Sequence, residues 1–234
     1  MIIGHRGLNT VATENSLEAM EAAVRYGAAG VEVDVRPCAT GELVVMHDET
    51  LERTADRTDA VAELSRDQLR KRKLLGGEPI PTLDDVLELC RDLDVLLNIE
   101  LKRDVPHRRL AISSLAQRLR GEGLPAKIVV SSFDPMMLAG LRARAPGVPT
   151  ALLYEPDHRY VAPLAKALGT DAIHPSRMLI SPIVVEEAHA ADRRVMVWTI
   201  NDVDEAKHLF RIGVDGVMTD DPERLCREAL VVSG

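Results

Sequence analysis

Residues 128–219 decide the fold. Ile128-Val129-Val130-Ser131-Ser132, Thr150-Ala151-Leu152-Leu153-Tyr154, Ala172-Ile173-His174, Val195-Met196-Val197-Trp198-Thr199-Ile200 and Gly216-Val217-Met218-Thr219 are short apolar runs rich in β-branched residues, and they begin roughly every 22 residues. Helix-start signals stand between them: Asp134-Pro135, Ser181-Pro182 and Asp221-Pro222 each put a capping side chain before a proline at the first helical position. That is the rhythm of short βα units closing into a (β/α)8 TIM barrel. A doubly wound open sheet is the alternative, and no glycine-rich dinucleotide loop supports it.

Working back toward the N-terminus, strand-like runs at 1–4, 30–35, 43–47 and 95–101 make nine candidates in all for the eight places of a barrel. The run at 43–47 follows its predecessor after only the Ala39-Thr40-Gly41-Glu42 turn, too short for a helical crossover. An irregular second βα unit is expected there. Ser16 and Val203 mark helix starts closed by Gly27 and Gly213, and Thr82 with Asp85 has the spacing of a capping box. The stretch 49–79 is longer than a usual βα loop. It carries Arg53, Arg57, Arg66, Arg70, Lys71, Arg72 and Lys73 and a short amphipathic pattern through Leu64, Leu69 and Leu74, and it breaks the rhythm of the one domain expected over 1–234.

Composition narrows the function classes. A length of 234 residues with 46% apolar content fits one barrel. The formal net charge of -8 argues against nucleic acid, whose phosphates require a basic stripe. Cys38, Cys90 and Cys226 have no Cys-x-x-Cys spacing, which favours neither a disulfide scaffold nor a zinc site and suits a reducing compartment. The chain enters its first strand at Met1-Ile2-Ile3-Gly4-His5 without a secretory leader, and no apolar stretch reaches the ~20 residues of a membrane span, so a cytoplasmic location is expected.

Chemistry gathers at the strand ends, in Gly4-His5-Arg6-Gly7, Glu32-Val33-Asp34, Met46-His47-Asp48 and Ile99-Glu100-Leu101-Lys102. Glu32 and Asp34 are two apart and project to one face of a strand, where Glu100 can join them from the next. Carboxylates without thiolate partners favour one magnesium or calcium ion, or manganese, over zinc. A structural ion network with Arg6 or Lys102 is the competing reading. His5 and His47 can serve as base and acid near neutral pH, or else as ligands or core residues. Arg6 offers a planar fork and Lys102 a point charge to phosphate oxygens, though either can instead only balance the carboxylates. Trp198 is the only tryptophan and a candidate wall of the substrate pocket, while Phe133 reads as core. His107, His158, His174, His189 and His208 lack such a setting and read as structural or surface residues.

His5-Arg6-Gly7, Glu14-Asn15-Ser16, residues 27–34, residues 41–54, Ile80-Pro81-Thr82-Leu83, Ile99-Glu100-Leu101-Lys102, Ser132-Phe133, Trp198-Thr199 and residues 216–222 together resemble the glycerophosphodiester phosphodiesterase family, in that family's order and over nearly the whole chain. Ser16 departs from the threonine usual in the family, and a capping role for Asn15 competes with a site role. The resemblance implies hydrolysis of a small glycerophosphodiester to sn-glycerol 3-phosphate and an alcohol, with 49–79 a small insertion beside the active site that either shapes the pocket for the alcohol or only covers the barrel rim. It further implies a cation on the glycerol 2-hydroxyl and a phosphate oxygen, His5 as base, His47 as acid and a cyclic phosphate that water opens, with direct attack by water as the rival route. Related barrels acting on lysophospholipids or sphingomyelin would use the same polar residues with a membrane-facing apolar surface. A non-catalytic phosphate-ester binding protein would tolerate loss of either histidine, and both are present.

Overall fold

A computed structural model of the chain describes residues 1–155 and 161–229. Its strands are β1 (Ile2–His5), β2 (Gly30–Pro37), β3 (Leu43–Val45), β4 (Leu96–Leu101), β5 (Ile128–Ser132), β6 (Thr150–Tyr154), β7 (Ala172–Pro175), β8 (Arg194–Val197) and β9 (Gly216–Thr219). Between them run α1 (Leu17–Arg25), α2 (Glu52–Ala55), α3 (Arg66–Arg70), α4 (Leu83–Asp92), α5 (Arg108–Arg118), α6 (Pro135–Arg144), α7 (Val161–Leu168), α8 (Pro182–His189), α9 (Val203–Arg211) and α10 (Pro222–Ala229). Every strand expected from the sequence forms, and the capping signals are realised. Ser16 accepts from Ala19 N–H, Thr82 and Asp85 form a reciprocal box, and Asp134 and Ser181 cap helices that begin at proline. Gly27 and Gly213 close α1 and α9 with φ of 99° and 94°.

Strands β4 to β9 pair in parallel sequence, β1 pairs with both β9 and β2, and β2 pairs with β4, so eight parallel strands close into a TIM barrel. The ninth strand is the irregular unit. β2 is eight residues long, twice the length of β1. Its lower residues Gly30 to Glu32 pair with β1, and where β1 stops at His5 its upper residues Val35 to Pro37 pair antiparallel with β3. The short hairpin thus continues the edge that β1 leaves, and Met46 N–H bonds to Asp34 C=O to carry the chain back toward the mouth. His47 arrives there because of that reversal.

Two apolar clusters line the outside of the barrel beneath the helices, one around Val31, Val33, Ile99 and Leu115, the other around Val195, Val197, Leu209 and Val217. A third belongs to residues 49–79: Leu51, Val61, Leu69 and Leu74 pack on Val44, Met46 and Ile80. Alternate residues turn inward, with Ile3, Met196 and Met218 forming the barrel's own core. At the C-terminal ends of the strands the inward positions turn polar.

Candidate active site

Register assembles the acidic group. His5 stands beside Glu32, Glu32 beside Asn98 and Asp34 beside Glu100 across the paired strands. Glu32, Asp34 and Glu100 offer ligand oxygens that all lie within 4.8 Å of one another, and all three side chains are buried. Burial and the neighbouring Asp34 charge push Glu32 and Glu100 above the usual carboxylate range. Burial works the same way on Asp34, but Lys102 and Arg6 outweigh it and hold that group ionised. A donor set made only of carboxylate oxygens, with Asp34 Oδ1 met among the described residues only by the Lys102 ammonium at 3.3 Å and two members pushed toward protonation, fits a hard divalent cation. These carboxylates can hold a metal ion.

The two histidines occupy matching settings. His5 Nδ1 is 2.7 Å from Asp220 Oδ1, and His47 Nδ1 is 2.6 Å from Asp48 Oδ1. With carboxylates as acceptors each Nδ1 carries the proton, and each Nε2 is left for chemistry. Asp220 is itself held by Asn9 Nδ2 at 2.9 Å and Asn201 Nδ2 at 2.8 Å, and Asp48 by Arg53 Nε at 2.7 Å. Both rings line one pocket of about 390 Å³ with Glu32, Glu100, Lys102 and Trp198. Their protonation differs. Burial opposes the charged form of His5, yet the Asp220 bond and the Glu32 charge win and raise its pKa. For His47 burial also comes first, and with Lys102 and Arg6 it prevails over Asp34 and Asp48, lowering the pKa.

Arg6 and Lys102 sit against the carboxylates. Lys102 Nζ is 2.8 Å from Glu100 Oε1 and 3.3 Å from Asp34 Oδ1, while Arg6 reaches Asp34 Oδ2 at 3.1 Å and Glu14 Oε1 at 3.0 Å. Arg6 has φ of 59°, a conformation rarely adopted outside glycine, and it aims its N–H at Glu32 Oε2, 3.1 Å away. Gly7 follows with φ of 88°, and a Cβ there would stand 2.5 Å from the backbone of Ala19. The motif glycine is therefore required by the close pass of α1. Asn15 is not the cap of α1, a place taken by Ser16; its amide donates to Asp34 Oδ2 at 3.0 Å. Trp198 donates to His174 C=O and meets Phe133 edge to face at 5.5 Å. Phe133, expected in the core, is half-buried at the pocket with Arg103 over its ring.

Sequence reasoning missed Asp220 and its two asparagines, Arg53 and Arg36. Arg36 is buried on β2 and donates from Nε to His47 C=O at 2.8 Å while its Nη2 bonds Asp104. Asp220 carried a usable signal: it falls between the end of β9 and the Asp221 cap of α10, at the C-terminal face where barrel side chains read as functional. His174 is fully buried, His189 pairs with Asp215, and His107 and His208 stand away from the pocket, as expected for structural or surface residues. His158 lies outside the described residues.

An eight-strand barrel whose mouth holds two carboxylate-backed histidines and a carboxylate cluster is the framework of a phosphoryl-transfer hydrolase. Residues 5–224 match the Glycerophosphoryl diester phosphodiesterase family, and the chain belongs to it. It is 32% identical over 234 residues to a glycerophosphodiester phosphodiesterase of Caldanaerobacter subterraneus subsp. tengcongensis, covering 96% of each chain. A glycerophosphodiester phosphodiesterase structure from Thermotoga maritima superposes with a TM-score of 0.81 at 26% identity, covering 97% of this chain and 96% of that one. An Oleispira antarctica phosphodiesterase in complex with the product sn-glycerol-3-phosphate superposes with a TM-score of 0.89 at 24% identity, covering 97% and 96%, and shares the fold. The protein is an enzyme that hydrolyses glycerophosphodiesters. No helix of the described residues is long and apolar enough to cross a membrane.

Proposed function

We propose that His5 and His47 are the proton-transfer groups of this hydrolysis, that Arg6, Lys102 and Trp198 contact the substrate, and that Glu32, Asp34 and Glu100 hold one divalent cation, magnesium or calcium before manganese. The products are sn-glycerol 3-phosphate and an alcohol. The observation that carries this reading is the convergence of both histidines, each fixed through Nδ1 by an aspartate, on the pocket that the carboxylates enter. A cation there supplies concentrated positive charge for the phosphate and for the hydroxyl that is to lose its proton. His5 Nε2, 4.0 Å from Glu32 Oε2, takes that proton; a cation held by Glu32 would offset the negative charge that favours the protonated ring. The deprotonated glycerol 2-hydroxyl attacks phosphorus, His47 gives its proton to the departing alkoxide as its P–O bond breaks, and water opens the resulting cyclic phosphate to sn-glycerol 3-phosphate. Lys102 and Arg6 donate to the non-bridging oxygens, and a cation held by Asp34 and Glu100 would release these donors from the carboxylates they now pair with.

The whole chain is read as one phosphodiesterase domain, with 49–79 as a small insertion beside the active site. Arg53 of that segment spans Glu14 and Asp48 with bonds of 2.7 Å, and a cavity of about 930 Å³ runs from His5 and Arg6 to Leu75 and Gly76. The three unpaired cysteines suit the cytoplasm, which is part of the same proposal. The test is a product assay on a panel of glycerophosphodiesters, lysophosphatidylcholine and sphingomyelin. Release of sn-glycerol 3-phosphate from the first group is expected. Turnover confined to the other two would overturn the substrate assignment.

A further inference from the structure

The other end of the barrel is not filled. A cavity of about 990 Å³ opens among the N-terminal ends of the strands, opposite the active-site mouth, and Leu96, Val129, Ala172 and Met196 form its apolar walls. His174 also lines it, from a position two residues further along β7 than Ala172. That side chain is 0% exposed, and neither ring nitrogen has a hydrogen-bond partner among the described residues. Burial pushes its pKa down to about 3, so the ring is neutral at physiological pH, with one nitrogen donating and the other accepting. A buried imidazole that faces a cavity and has no partner among the described residues fits a group that can both accept and donate, and a hydroxyl is such a group.

The entrance has the opposite character. Arg120, Lys127 and Arg194 are exposed around it, and the two aspartates beside them are engaged elsewhere: Asp171 with Arg142 and the Thr150 N–H, Asp215 with His189 and the Val195 N–H. An anion is favoured at this rim. Arg194 pairs in register with Ala172, two residues before His174 on β7, so the charged rim lies toward the strand starts and the imidazole further in.

We infer that the barrel floor is a second ligand site, for a small hydroxy acid whose carboxylate meets the Arg120, Lys127 and Arg194 rim, whose apolar body fills the cavity and whose hydroxyl bonds His174. It is separate from the catalytic pocket and independent of how that pocket works. The probe is 4-hydroxyphenylacetate, titrated calorimetrically into the full chain, beside phenylacetate, which lacks the hydroxyl, and 4-ethylphenol, which lacks the carboxylate. One molecule binds per chain, each analogue binds about tenfold more weakly, and saturating sn-glycerol 3-phosphate does not displace the probe. Ala172→Leu, which fills the floor, and Arg194→Glu, which inverts an exposed rim charge, each weaken the probe about tenfold or more and leave turnover of a glycerophosphodiester unchanged. Absence of saturable binding at millimolar probe, equal affinity for all three compounds, indifference to Arg194→Glu, or displacement by sn-glycerol 3-phosphate would each overturn the inference.

Discussion

His5 and His47 are alike in geometry and unlike in electrostatics. Leaving-group chemistry separates their roles. With His47 as the acid, His47→Asn costs on the order of 10²–10⁴-fold on an alkyl diester and much less on a p-nitrophenyl ester, whose leaving group needs no proton; His5→Asn is impaired on both. The reverse pattern would exchange the two roles. Asp220 offers a second test. It raises the proton affinity of His5, and a base works only when neutral, so activity falls as pH drops through its pKa. Asp220→Asn removes that support, and the acid limb of the kcat/KM profile should shift to lower pH while kcat drops; an unmoved limb would mean that Asp220 does not act through His5. The principal side chains were legible because each stands at the end of an apolar run, where strand alternation gives its face. Asp220 was not, since it lies 215 residues from His5 and only barrel closure makes them neighbours.

At the scale of elements, β3 is what brings His47 to the mouth. The four-residue turn at 39–42 already excluded a parallel step, but nothing local revealed that the upper half of β2 would accept the returning strand. That depends on β1 ending early, a property of another element. Arg36 fixes the result by bonding His47 C=O and Asp104 from a buried position. Arg36→Met should destabilise the fold by about 2 kcal/mol, since a hydrogen-bonded charge is lost and its acceptors are left unpaired, and should lower kcat about tenfold with KM little changed. Denaturant melts and steady-state kinetics check both parts. The stretch 49–79 stands out in the sequence by its length and its leucine pattern, whereas its contact with the site rests on Arg53, one of seven cations there that the sequence could not tell apart.

For the whole molecule, the barrel follows from the spacing of its strands, and its stability carries a pH dependence that the sequence did not show. His174 looked ordinary because its burial depends on all the strands that enclose it. In the unfolded chain it takes a proton near its ordinary pKa of 6.5, while in the fold burial holds the value at about 3. Its contribution to stability is therefore intact above pH ~6.5 and is lost by about 1.4 kcal/mol per pH unit as pH falls toward the folded value. Replacing it with Phe should flatten that part of the stability profile, whatever it does to the absolute stability; an unchanged slope would place the acid sensitivity elsewhere. The central claim is that this barrel mouth works through a cation on Glu32, Asp34 and Glu100 beside two histidines. Its most direct test is the rate of sn-glycerol 3-phosphate release from a glycerophosphodiester after exhaustive chelation and again after one divalent cation is restored. Chelation should abolish turnover, magnesium, calcium or manganese should restore it, and Glu32→Gln should not recover; full activity in the chelated enzyme or in Glu32→Gln would contradict the account.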